Sequence, residues 1–197
     1  MKIIVISQPK AGTYLLANLL QEIGFRFTNL HIGVKKYERY PEVGTPKYKR
    51  AIRNPKEFEH RQPLAESLKM IPDGAFAVSH LAYNKKTENL LQDFHKILIT
   101  RPSDEIIESI ARWYTYSGRP VGDINKTVQH CRNIMGWWGR DGVYELTFSD
   151  IINANQPRIE GLQSFLNCNV GNIEELCRAS QAKPSKTKIP KTTQSHV

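Results

Sequence analysis

The stretch SQPKAGTYLL, residues 7–16, puts Lys10, Gly12 and Thr13 in a short turn between the apolar run KIIVIS and an apolar-periodic segment. Strand, turn and helix in that order make a phosphate cradle. The first amides of such a helix lack intrahelical partners, and the helix dipole favours an anion beside them. Here those amides belong to Ala11, Gly12, Thr13, Tyr14 and Leu15. Gly12 permits close approach of a ligand, Thr13 adds a hydroxyl, and Lys10 adds a full positive charge. The order is not G-x-x-x-x-G-K-[ST], so the Lys-Ser/Thr pair that serves a magnesium-bound triphosphate is absent. A second group stands in ILITRPSDEIIESIARW, residues 97–113. Arg101 can fork onto a phosphate, and Ser109 follows eight residues later with a hydroxyl. A third is His80, behind GAFAVSH; an imidazole, with its unperturbed pKa near ~6.5, suits a general base.

The elements that must hold these groups follow from hydrophobic patterning. KIIVIS, GAFAVSH, KILIT and VYELTFSD are short apolar runs of the kind that form buried strands, and FRFTNL is a further strand candidate. Leu15, Leu16, Leu19, Leu20 and Ile23 recur at helical spacing, with Gly24 as the stop. Ser103 caps a helix over 103–117, where Asp104 and Glu105 fill the first turn and Ile106, Ile107 and Ile110 form a stripe. Shorter helices are predicted within 57–71 and 84–94, one over about 123–138, and two near the end, in PRIEGLQSFL and NIEELCRAS. Residues 33–63 read as a long polar excursion. Alternating strands and helices predict a parallel sheet covered on both faces, with ligands at the carboxyl ends of the strands. Lys10, His80 and Arg101 each follow a predicted strand, so all three converge on one edge.

With 197 residues the chain can build one substantial core. No run approaches the ~20 apolar residues of a membrane span, and the first strand starts at Met1, so a cytoplasmic location is expected. Cys131, Cys168 and Cys177 form no C-x-x-C pair; free thiols are expected, with no disulfide framework and no metal site. A net charge of +9 calls for an anionic partner: a phosphorylated cofactor, an acidic substrate, a nucleic acid or an anionic surface. The charge gathers in residues 35–61, rich in Lys, Arg and Tyr, and in 183–197, which carry four lysines and no acid.

Taken together the motifs resemble those of the sulfotransferases. SQPKAGTYLL is similar to that family's phosphosulfate loop, Y-P-K-[SA]-G-T-[TS], through Pro9, Lys10, Gly12 and Thr13. ILITRPSDEIIESIARWY is similar to its second signature through Arg101, Asp104 and Ser109. AVSHLAYN resembles the K-T-H-L-P segment, with His80 standing 21 residues before Arg101; ELTFSDII and LQSFLNCNV resemble the later Y-E-D-L and F-L-G stretches. The resemblance runs from residue 2 to about 170 and is sparse between 25 and 72.

It implies a three-layer α/β/α fold with a central parallel sheet and a P-loop-like strand–loop–helix. It divides the chain into one α/β domain over 1–182, with 35–63 as a basic insertion, and a basic tail over 183–197. The implied cofactor is 3′-phosphoadenosine 5′-phosphosulfate (PAPS), giving 3′-phosphoadenosine 5′-phosphate (PAP), with no metal. Lys10, Ala11, Gly12, Thr13 and Tyr14 would hold the phosphosulfate, Arg101 and Ser109 the 3′-phosphate, and Phe148 the adenine; Lys10 and His80 would be catalytic. Leu15 stands where many members carry a stacking Trp. The family's terminal R-K-G is absent, so Lys183, Lys186 or Lys188 is expected in its place. The acceptor would be a small molecule, lipid or glycan, acidic if the 35–61 segment contributes to its site. Two other readings share these residues: a P-loop kinase of the nucleotide type, and a non-catalytic relative or polyanion binder. Trp113 and Tyr114 are expected to serve both core and pocket, and GWWGR to pack on the sheet.

Overall fold

A computed structural model describes residues 1–39, 41, 45–47, 50, 55–117, 122–169 and 171–183. The centre is a seven-stranded sheet in the order β4-β3-β2-β5-β1-β6-β7. The strands are β1 (Lys2–Ser7), β2 (Arg26–Ile32), β3 (Lys36–Arg39), β4 (Glu59–Arg61), β5 (Ala75–Ser79), β6 (His95–Thr100) and β7 (Val143–Thr147). The helices are α1 (Thr13–Glu22), α2 (Leu64–Lys69), α3 (Lys85–Leu90), α4 (Ser103–Ser117), α5 (Ile124–Met135), α6 (Phe148–Ile152), α7 (Gln156–Phe165) and α8 (Ile173–Ala182).

Strand β1 shows why the three layers form. Its side chains alternate across the sheet. Ile3 and Val5 face a core shared with Leu16, Leu19 and Leu20 of α1, Ile159 and Leu162 of α7, and Leu176 of α8. Ile4 and Ile6 face a second core with Leu64 and Leu68 of α2, Ile134 of α5, and Trp137. All four strand residues are fully buried, which is why this strand reads as a continuous apolar run. Trp137 is fully buried as well, and its indole N–H donates to the Leu81 carbonyl at 2.9 Å. Its neighbour Trp138 is exposed, so only the first Trp of GWWGR packs inward.

The sheet is mixed rather than wholly parallel. β2, β5, β1, β6 and β7 run parallel, whereas β3 pairs antiparallel with β2 and with β4. The two ends of the predicted excursion are therefore strands. They escape sequence reading because β3, KYER, has no buried residue; backbone pairing alone, aided by the Lys36–Glu59 ion pair, makes an edge of this kind. Every parallel strand ends at the same edge, and β1 is the point where the order turns from β5 on one side to β6 on the other. That is where an open α/β sheet leaves a crevice.

Candidate active site

The turn after β1 is shaped for an anion. Lys10 adopts φ +67° and Gly12 φ +100°, both left-handed. A non-glycine residue held there marks stored strain of the sort found at ligand sites. The Leu16 N–H bonds the Gly12 carbonyl at 3.0 Å, which leaves the Gly12 and Thr13 amides ahead of the helical ladder. No side chain caps this helix start. The Ala11 amide does not join them: it donates to the Gln8 carbonyl at 3.1 Å, closing the turn, and Ala11 is fully buried. Tyr14 turns its ring edge-on to Phe27 of β2, 6.3 Å between centroids.

Lys10 rests over the Trp113 ring of α4, its ammonium 4.0 Å from the centroid. Among the described residues it forms no ion pair. Burial lowers its pKa from 10.5 to about 8, because desolvation penalises the charged form. An arriving anion would meet a partly desolvated cation.

Arg101 leaves the end of β6. Its Nε donates to Glu105 one turn along α4 at 2.7 Å, and its guanidinium stacks on Phe148 at 4.1 Å. The terminal nitrogens lie outside the Glu105 contact. Phe148 also covers the loop, since a Cβ built on Gly12 would meet its Cδ2 at 2.7 Å. Gln8 ties the same two strand ends together by accepting from the Arg101 amide at 3.2 Å. Gly12, Arg101 and Phe148 thus meet at one place. Ser109 is half-buried on α4, and its side chain has no hydrogen-bond partner among the described residues.

His80 follows β5. Its Nδ1 lies 2.7 Å from the Ser7 carbonyl and 3.1 Å from Ser7 Oγ. A carbonyl only accepts, so Nδ1 carries the proton, and in the neutral ring Nε2 holds the lone pair. Ser7 Oγ lies 2.7 Å from Thr13 Oγ1. Ser7 Oγ also donates to the Ser79 carbonyl at 3.3 Å, so His80, Ser7 and Thr13 form one connected polar group behind the loop.

His31 of β2 packs edge-on to His80, 4.5 Å between centroids. Sequence reading singled out none of Ser7, Gln8, His31 or Glu105 for the site. Only Glu105 carried a signal, the i,i+4 spacing from Arg101. Of the three lysines expected to replace R-K-G, Lys183 is ion-paired with Glu22 at the far end of α1, so it does not serve the site in this structure. That pairing arises because α8 packs along α1. Lys186 and Lys188 lie outside the described residues.

No protein-family model and no curated protein sequence matches this chain. Solved structures do. Mouse sulfotransferase SULT7A1 complexed with PAP superimposes at a TM-score of 0.55 with 17% identity, over 91% of this chain and 63% of that one. The chain has a sulfotransferase-like fold. Retinol dehydratase, in complex with androsterone and inactive cofactor PAP, matches at 0.55 with 13% identity, over 91% of this chain and 63% of that one. The sulfotransferase domain from the curacin biosynthetic pathway matches at 0.53 with 15% identity, over 87% and 75%. The chain spans less than two thirds of the length of the first two proteins. Within the sulfotransferase-like fold, the loop's donors are backbone amides, a hydroxyl and an ammonium, and Arg101 is a separate guanidinium. That donor set fits a nucleotide carrying anions at two positions. Among the described residues no group of carboxylates, histidines and thiols could hold a metal ion, and no helix is long and apolar enough to cross a membrane.

Proposed function

We propose that this protein is a PAPS-dependent sulfotransferase acting on a hydroxyl or amine acceptor. The observation that carries the reading is the meeting of Gly12 and Arg101 across Phe148. It sets a 5′-anion cradle beside a distinct guanidinium. A 3′,5′-bisphosphorylated nucleoside needs both anchors; ATP has no anion for the second. The structural neighbours complexed with PAP support the choice of nucleotide.

When bound, PAPS supplies a sulfuryl group whose bond to the bridging phosphate oxygen breaks as its bond to the acceptor oxygen or nitrogen forms. Lys10 and the Gly12 and Thr13 amides neutralise the charge that grows on the phosphate side, and being fixed beforehand they need no reorganisation. The Thr13 hydroxyl adds a polar group beside the same anion, held by Ser7. Arg101 and Ser109 hold the 3′-phosphate, and Phe148 lies against the base. His80, its Nδ1–H anchored on Ser7, takes the acceptor proton at Nε2. His31 limits where the ring can swing.

Calorimetric titration with PAP, ATP-magnesium and 5′-AMP tests the reading, for the native chain and Arg101→Ala. PAP should bind at least tenfold more tightly than 5′-AMP, and Arg101→Ala should erase that preference. Equal affinity for PAP and 5′-AMP would leave a shared fold without the shared cofactor.

A further inference from the structure

Helices α4 and α5 touch through a small cluster of Ile106, Ile110 and Cys131, with Tyr114 against it. On either side of that contact the groove between them is hollow. One cavity, about 300 Å³, is lined by Lys10, Trp113, Tyr114, Lys126 and His130. The next, about 180 Å³, is lined by Ile106, Ile107, Ile124, Val128 and Met135. Ile110 and Thr127 line both, so the two are neighbours along one groove. Ile107 and Ile124 are 37% and 41% exposed, an unfavourable way to leave two isoleucines unless something covers them.

The two ends differ in chemistry. The inner cavity is mainly aliphatic, with Gln8, Ser103 and Arg132 completing its lining. The mouth has aromatic walls, the Lys10 ammonium that the sulfotransferase reading places at the sulfuryl group, the exposed Lys126, and the half-buried His130 with its ring N–H donor. Lys126 has a partner in Asp123 at 3.5 Å, but both are solvated and such a pair holds weakly. Among the described residues no carboxylate lines either cavity, and Arg132 is a further cation in the lining of the inner one. A neutral or cationic acceptor gains nothing from this arrangement.

Resting on the sulfotransferase reading, we infer that the α4–α5 groove is the acceptor site and selects an anionic amphiphile. Its aliphatic body lies in the isoleucine-lined cavity and its anion meets Lys126 and His130. Its hydroxyl lies at the same end as the anion, beside Lys10. A hydroxylated acyl carboxylate is the simplest molecule of this shape.

Calorimetry with 3-hydroxydodecanoate, its methyl ester and 3-hydroxybutanoate, each with and without saturating PAP, tests the inference. The long acid should bind at least tenfold more tightly than the ester, which lacks the charge, and than the short acid, which lacks the body. Lys126→Ala/His130→Ala should abolish the preference for acid over ester while leaving PAP affinity unchanged; Lys126 is exposed and ties no core element, so the variant should fold. PAP binding with equal affinity for acid and ester, or a preference that survives the double substitution, overturns the inference and leaves the sulfotransferase reading standing. Equal binding of the long and short acids removes the role of the inner cavity and overturns it too. Selective binding of the long acid without any PAP binding would preserve the groove as an anionic-amphiphile site and sink the sulfotransferase reading instead.

Discussion

Lys10 offers a test in which protons report on the cofactor site. Burial brings its pKa down to about 8 in the free protein. Anions arriving at the loop stabilise the ammonium, so PAP binding should return the pKa toward ~10.4, the ordinary lysine value. The sign follows from proton counts. Well below pH 8 the free protein already carries the proton and binding takes up almost none. Above it, binding must draw a proton from solvent, so affinity falls as pH rises. With these two values, uptake is about 0.1 proton per PAP at pH 7 and about 0.9 at pH 9, and affinity drops about tenfold between them. The phosphates of PAP do not confuse the measurement, because a phosphate monoester's second ionisation lies near ~6. Calorimetry in buffers of different ionisation enthalpy reads the uptake directly. Lys10→Arg keeps a cation that does not titrate and should abolish the uptake. Flat affinity from pH 7 to 9, or uptake that persists in Lys10→Arg, would show that Lys10 does not meet the anion.

His80→Ala should lower kcat by ~10²–10⁴-fold and leave PAP affinity within twofold, as measured by steady-state turnover beside calorimetry. Gly12→Ala must place a side chain at φ +100° with its Cβ 2.7 Å from Phe148. It should weaken PAP binding at least tenfold and lower the melting temperature, read by titration and thermal unfolding of the same preparation. Trp137→Ala empties a fully buried site and orphans the Leu81 carbonyl. Denaturant unfolding should show a loss of ~3–5 kcal/mol.

The parallel strands and the large helices were open to sequence reading because burial is periodic in them. Ile3, Ile4, Val5 and Ile6 are buried on alternate faces, and the stripe of α1 supplies the layer above one of them. The anion loop was open for a similar reason. Its chemistry is local, set by the order of Lys10, Gly12 and Thr13 within one turn. Edge strands β3 and β4 were not open, since an edge is made by backbone pairing and leaves little apolar pattern. Nor was the use of the Ala11 amide, which depends on how the turn closes on Gln8.

By itself, then, the sequence determined where strands end and which polar residues follow them: Lys10 after β1, His80 after β5, Arg101 after β6. Only the tertiary structure decided what those residues touch. The lowered pKa of Lys10 comes from burial in the folded chain, where Trp113, 103 positions along the sequence, lies against it. The tautomer of His80 comes from Ser7, 73 positions away. Phe148 reaches Gly12 and Arg101 only because β7 lies beside β6 in the sheet. Short-range preferences are written in neighbouring residues. Desolvation, stacking and hydrogen-bond direction depend on groups that folding alone brings within a few ångströms.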